Sequence, residues 1–217
     1  MDKRDKNELI APLLRSIDEM LRRDERVVVA VDGNSAAGKS SLAARLKSLY
    51  SCNVFSMDDF FLRPSQRTPG RLAEPGGNID YERFLCEIIE PLKLGEPFAF
   101  SPFDCSVGEL SAPVQAEPNR LSVIEGVYSL HPYFGRFCDL KVFLSLGEAE
   151  QRRRLLARNA GLYERFICEW IPMENLYFNH FKIAEKCDFV FDSGFPGVLP
   201  NSTDGERPVE GEKNEQQ

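Results

Sequence analysis

The sequence predicts an α/β fold of three α/β/α layers, a parallel sheet covered by helices on both faces. Three observations carry this reading. Unbroken apolar runs recur along the chain, helical patterns stand between the later ones, and a glycine-rich turn joins the first run to a helix. Strands covered on both faces read as continuous apolar runs, and their alternation with helices is the pattern of a doubly wound sheet.

In chain order, Leu9, Ile10, Leu13, Leu14, Ile17, Met20 and Leu21 recur at three- and four-residue spacing and predict an amphipathic packing helix. The run Arg26 to Val31 predicts a buried strand, and Leu42, Leu46 and Leu49 predict a helix from about Gly38. A second strand is expected over Asn53 to Met57. A Pro/Gly-rich loop follows from Arg63 to Asn78, long enough to suggest a functional role, before a helix carrying Phe84, Leu85, Ile88 and Ile89. Further strands are expected at Leu121 to Ile124, Leu140 to Leu146 and Phe189 to Phe191. Residues 1–199 read as a single domain, and the polar stretch 200–217 as a disordered tail that lacks the apolar surface to order itself.

Composition narrows the function. With 217 residues, 42% apolar and 28% charged, the chain is that of one ordinary domain. A formal charge of −7 offers no broad basic footprint, which argues against a nucleic-acid partner. The six cysteines form no CxxC pair and stand at no metal-ligand spacing, so they read as reduced core residues. No apolar run approaches the about 20 residues that span a bilayer, and the N-terminus shows no secretory pattern. A cytoplasmic protein with no membrane partner is expected.

Directly after the first strand stands Gly33-Asn34-Ser35-Ala36-Ala37-Gly38-Lys39-Ser40, followed by Ser41. It satisfies GxxxxGK(S/T) in a strand–loop–helix context, which predicts a P-loop NTPase. The glycines let successive N–H groups turn toward the phosphates of ATP, with the positive end of the following helix behind them. Lys39 is expected on the β- and γ-phosphates and the Ser40 hydroxyl on Mg²⁺. The metal site needs an acid at the end of a neighbouring buried strand, and Glu125, after Leu121 to Ile124, fits.

A P-loop alone does not choose between kinases, GTPases and motors. The guanine-reading NKxD and the switch element DxxG are both missing. The tract Ser56-Met57-Asp58-Asp59-Phe60-Phe61 supplies what phosphorylation of an alcohol requires, a carboxylate to orient the hydroxyl and take its proton. Neighbouring strand residues point to opposite faces, so only one of Asp58 and Asp59 is expected to face the site.

Taken together, the P-loop, SMDDFF, NIDYERF, VIEG and an arginine-rich stretch before a long helix resemble, over about Val27 to Asp192, the uridine kinase family of P-loop nucleoside kinases. The likeness extends more loosely to nicotinamide riboside kinases and phosphoribulokinases. The resemblance implies Asp58 as general base and Asp80 as a ligand of the acceptor's ribose hydroxyls. Asp80 is equally a natural helix N-cap. Phe61 and Phe103 are expected to line the acceptor pocket.

Charge building up on a transferring phosphoryl group calls for mobile cations, and a helical lid over about residues 147–170 is expected to carry them. Arg154 and Arg158 share a helix face and are expected on ATP, with Arg158 catalytic, while Arg152 and Arg153 read as solvated. Arg165 follows an interruption at Gly161 and is expected on the acceptor side. His131 and His180 read as structural.

Where uridine kinases carry a Tyr-Asp and a His-x-Arg element that reads the base, this chain has Phe103-Asp104-Cys105-Ser106-Val107-Gly108-Glu109 with no histidine. Arg67, Arg71 or Glu74 could reach a different acceptor. Three functions therefore stand: an ATP-dependent nucleoside kinase acting on uridine or cytidine, a kinase of another small alcohol such as nicotinamide riboside or a pantothenate-like acid, and a non-catalytic regulatory nucleotide binder. Homo-oligomer formation stays open at this point.

Overall fold

Val27 to Val31 lie in the central strand of a five-stranded parallel sheet, as an apolar run with no polar face requires. The computed structural model describes residues 3–24 and 26–193, so the tail expected from residue 200 lies outside the described residues. Helix α1 (Lys3–Arg23) leads into β1 (Val27–Gly33), α2 (Lys39–Leu49) and β2 (Cys52–Ser56). A 3₁₀ turn (Met57–Phe60) and the short α3 (Pro69–Ala73) follow. A continuous helix over 81–94 is then built from α4 (Tyr81–Phe84), a π turn (Leu85–Ile89) and α5 (Glu90–Leu94).

Four short strands come next: β3 (Phe98–Phe100), β4 (Phe103–Asp104), β5 (Glu109–Leu110) and β6 (Val114–Ala116). The chain returns to the main sheet through β7 (Leu121–Glu125) and β8 (Leu140–Ser145), then enters α6 (Glu148–Arg158). After a 3₁₀ turn (Ala160–Leu162), α7 (Tyr163–Arg165), a second π turn (Phe166–Trp170) and α8 (Ile171–Phe181) make one helix over 163–181, and β9 (Phe189–Asp192) closes the fold. The sheet order is β2-β7-β1-β8-β9.

All five strands expected of the main sheet are present, and each face of the sheet carries its own core. Ile10, Leu13 and Ile17 of α1 and Leu42 and Leu46 of α2 pack with Val27, Val29 and Val31. On the other face Phe84, Ile88, Tyr177 and Phe178 pack with Phe55, Ile124 and Phe143, and Val28 turns toward them. Alternation along β1 thus feeds both layers.

Two features were not foreseen. Between 98 and 116 the chain forms two small antiparallel pairs, β3 with β6 and β4 with β5, whose strands of two or three residues are too short to show a period. The π turns both end two residues before a proline, Pro91 and Pro172. A proline within a helix lacks an N–H and crowds the carbonyl four residues back, and a widened turn relieves both.

The strands stop at one level. Glu125 pairs in register with Val31 on one side and Ser56 on the other, so the ends of β1, β2 and β7 converge where a ligand binds an open α/β sheet.

Candidate active site

The loop from Gly33 to Ser40 is braced before any ligand arrives. Gly33 donates its N–H to Asp32 Oδ1 at 2.7 Å, Asn34 to the Leu144 carbonyl at 3.1 Å, and Ala37 to the Asn34 carbonyl at 3.1 Å. Gly33 sits at φ +139°, and a Cβ there would overlap the Leu144 carbonyl oxygen, so no other residue fits. The first bond of α2 runs from Leu42 N–H to the Gly38 carbonyl at 2.9 Å. The amides of Gly38, Lys39, Ser40 and Ser41 therefore stand ahead of the helical ladder, the donors that a helix N-terminus offers an anion.

Lys39 is buried, and its Nζ donates to the carbonyls of Gly33 and Asn34 at 2.9 Å each. An ammonium has three protons, so one is left for a phosphate oxygen. Ser40 Oγ lies 3.2 Å from both oxygens of Glu125, and Ser56 Oγ lies 3.2 Å from Oε1. Burial, and next the charge of Asp58, hold the Glu125 carboxyl above its ordinary range, while Lys39, Ser40 and Ser56 pull it back. Among the described residues no group of three or more His, Cys, Asp or Glu gathers to hold a metal. The oxygen-only pair Ser40 and Glu125 suits Mg²⁺, which takes one or two protein oxygens and completes its shell with phosphates and water.

Asp58 is exposed at the end of β2, and its N–H donates to Ser56 Oγ at 3.3 Å. It occupies a 3₁₀ turn, not the strand expected through Met57, so strand alternation does not separate it from Asp59. Both carboxylates, with Asp104, act on the Cys105 thiol, which burial first of all pushes up. The Asp58 charge also acts on Glu125. The Asp59 backbone carbonyl accepts from Arg83 Nη2 at 2.8 Å.

Of the two readings of Asp80, the helix cap is present: Oδ1 accepts from Arg83 N–H at 3.1 Å, and Oδ2 from Gln66 Nε2 at 2.8 Å. Phe61 and Phe103 are half-buried, the former bridged to Ile79 and the latter paired with Leu110. Arg71 and Glu74, read from sequence as able to reach an acceptor, are committed elsewhere. Arg71 makes two 2.7 Å bonds to Glu82 and stacks over the Tyr81 ring, and Glu74 accepts from Tyr81 at 2.9 Å. Arg67 remains, half-buried and 3.4 Å from Asn78 Oδ1.

The arginine-rich stretch divides between the outside and the inside of α6. Arg152 and Arg153 pair with Glu148 and Glu150 on the outside of α6. Arg154 turns inward, its Nη1 3.3 Å from the Ala36 carbonyl and its Nη2 2.6 Å from that of Ser193. Arg158 is exposed at the end of α6. Arg165 lies 3.4 Å from Glu169 and 4.8 Å from the Trp170 ring, and neither contact is with the loop. His131 is structural, stacked between Tyr81 and Tyr177.

Sequence reasoning missed Asp32 and Glu174. Asp32 is fully buried, and its carboxylate accepts from the amides of Gly33, Tyr128 and Leu130 and, at 2.8 Å, from the Tyr177 hydroxyl. Burial outweighs these bonds and the Lys39 charge, raising its carboxyl to about 6. Tyr128, where the chain turns back, takes a strained φ of +76°. Glu174 of α8 accepts from the Ser35 N–H at 3.1 Å and from its hydroxyl. The signal for both was available: an acid at the end of an apolar strand, and a lone acid in the apolar stretch Trp170 to Phe178.

No protein-family model matches the sequence. Two curated proteins are similar: the phosphoribulokinase of a Synechocystis strain, 31% identical over 133 residues, and uridine-cytidine kinase C of Dictyostelium discoideum, 26% identical over 138 residues. These matches cover 58% and 62% of this chain but only 39% and 30% of those proteins. Among solved structures, a possible uridine kinase from Bacillus stearothermophilus superposes with a TM-score of 0.67 at 22% identity, over 88% of this chain and all of that one, and so shares the fold. The chain is thus similar to a phosphoribulokinase and a uridine-cytidine kinase over part of their length, and it shares its fold with a possible uridine kinase. The chain spans well under half the length of the curated relatives it matches. Among the described residues no helix is long and apolar enough to cross a membrane.

Proposed function

We propose that this chain is a kinase that transfers the γ-phosphate of ATP to a hydroxyl of a small molecule, the acceptor being a nucleoside such as uridine or cytidine phosphorylated at its 5′-hydroxyl. What carries this reading is the convergence on one strand edge of the phosphate loop, the Ser40–Glu125 pair and Asp58, the carboxylate whose charge reaches Glu125. In this reading Gly33 to Ser41 cradle the phosphates and Lys39 places its third proton on the β- or γ-phosphate. Ser40 and Glu125 would hold Mg²⁺, which would supply charge neutralisation to the phosphates.

Asp58 takes the proton of the attacking hydroxyl as the new P–O bond forms and the bond to ADP breaks. Its exposed position at the mouth of the site suits a base that must meet an incoming acceptor. Arg154 steadies the loop from behind, and Arg158, one turn on, closes over the phosphates as the lid shuts. Phe61, Phe103, Asp80 and Arg165 belong to the acceptor side, with Asp80 available only if Gln66 gives way.

One observation favours a second acceptor class. Arg67 is half-buried and forms no ion pair among the described residues, and its charge reaches the Cys105 thiol on which Asp58 also acts. A guanidinium placed there suits an acceptor carrying a phosphate or carboxylate beside its hydroxyl.

The test is turnover with ATP and Mg²⁺ across neutral nucleosides, including nicotinamide riboside, and anionic alcohols, including ribulose phosphate and pantothenate. Phosphorylation of uridine or cytidine supports the first reading. Turnover confined to anionic alcohols, lost in Arg67→Ala, supports the second, and ATP binding without any turnover marks a regulatory binder and refutes both.

A further inference from the structure

Ser35 lies near the apex of the P-loop, and each of its hydrogen-bonding groups is taken by a helix that brackets residues 159–170. Its carbonyl accepts from Gln151 Nε2 of α6 at 3.1 Å, and its N–H and hydroxyl both go to Glu174 of α8. The next residue, Ala36, sits at φ +62° and gives its carbonyl to Arg154, also of α6. One turn further along α8, Tyr177 donates to Asp32, which in turn holds the amide of Gly33. Helices α6 and α8 thus grip the phosphate loop at several points, and the segment between them is the one that carries Arg165 and follows Arg158.

Glu174 is one of the two buried acids in this set, Asp32 being the other. It is a carboxylate 4% exposed, on the helix that also buries Tyr177 and Phe178. Burial pushes its carboxyl up, and Lys39 and the Ser35 bonds oppose that. A buried acid is tolerated when its bonds are made, and here they come from Ser35 of the loop. A solely packing role at this position is better served by an apolar residue of the same size.

We propose that Glu174 is a positioning residue that couples the P-loop to the lid segment 159–170: through Ser35 it passes the geometry of a nucleotide-filled loop to α8, and so orders the lid. Packed side chains and hydrogen bonds joining two elements carry such coupling when both elements respond to one ligand. The proposal rests on the nucleotide-binding reading above, and it goes beyond that reading by naming the residue that links filling of the loop to closure.

The experiment is hydrogen exchange read by mass spectrometry on the full chain, with and without Mg²⁺ and a non-hydrolysable ATP analogue. In the wild type the analogue is expected to slow exchange in peptides covering both 33–41 and 159–170. In Glu174→Ala, protection of 33–41 should persist while that of 159–170 falls at least about fivefold, with the KM for ATP rising by a similar factor and that for the acceptor unmoved. Glu174→Gln retains an oxygen for the Ser35 N–H and should recover most of the coupling. Ser35→Ala, which removes only the hydroxyl contact, provides a milder variant should Glu174→Ala fold poorly. Protection of 159–170 that survives in both Glu174→Ala and Ser35→Ala overturns the proposal, as does a uniform loss of protection that follows the fall in Tm. A wild type whose loop shows no protection by the analogue instead removes the nucleotide-binding reading, and this inference with it.

Discussion

Replacing Lys39 by Ala removes a buried ammonium that the structure has already oriented. Two of its protons are spent on the Gly33 and Asn34 carbonyls at 2.9 Å, so the third has little freedom and points where a phosphate can meet it. A pre-oriented charged donor facing developing charge is worth about 3–4 kcal/mol, which at about 1.36 kcal/mol per tenfold is roughly 10²–10³ in kcat. A second effect adds to the first. The Lys39 charge lowers the carboxyls of Asp32, Glu125 and Glu174, and without it three buried acids lose their shared counter-charge. The variant should therefore also bind ATP more weakly and unfold at lower urea.

ADP release in the presence of saturating Mg²⁺, ATP and whichever acceptor the panel identifies measures the first effect, and urea midpoints separate it from the second. A folded Lys39→Ala protein that keeps more than about a tenth of the wild-type kcat refutes the phosphate-loop argument.

Asp58→Asn should lower kcat by about 10²–10⁴ while ATP affinity, measured by calorimetry, stays within about twofold; if Asp59→Asn behaves this way instead, the base is misassigned. Glu125→Gln should raise the Mg²⁺ concentration needed for half-maximal rate at least about tenfold, and an unchanged Mg²⁺ dependence removes Glu125 from the metal site. Gly33→Ala should shift the urea midpoint by the equivalent of about 1–3 kcal/mol or more, because its Cβ meets the β8 backbone at a φ few side chains adopt; a wild-type midpoint contradicts the register of β1 with β8.

For Asp32 the sign follows from a native value of about 6 against an ordinary 3.8, so the folded state holds the proton more tightly. Its contribution to stability is full below about pH 4 and is lost as pH rises through about 6, a change of about 3 kcal/mol at most. The stability difference between wild type and Asp32→Asn should move by that order across pH 4–7, and a constant difference would falsify the assignment.

The sequence by itself determined the fold class, the order of the five main strands along the chain, and the phosphate loop. Each of these rests on contacts between near neighbours: β1 is apolar on both faces, Gly33 and Gly38 stand where the backbone must turn with positive φ, and Lys39 follows in the same turn. Glu125 was legible for the same reason, as an acid ending a buried run.

What only the tertiary structure decided involves partners far apart in the chain. Asp58 and Glu125 come together because β2 and β7 pair in register, although 67 residues separate them, a separation no periodicity encodes. Arg71 and Glu74 looked free until Glu82 and Tyr81 were seen beside them. Glu174 reaches Ser35 across 139 positions, and Asp32 gains its burial from Tyr177 and the turn after β7. The desolvation that raises a carboxyl and the bonds that hold it come from chain remote in sequence, so the identity of a residue fixes its chemistry but not its surroundings.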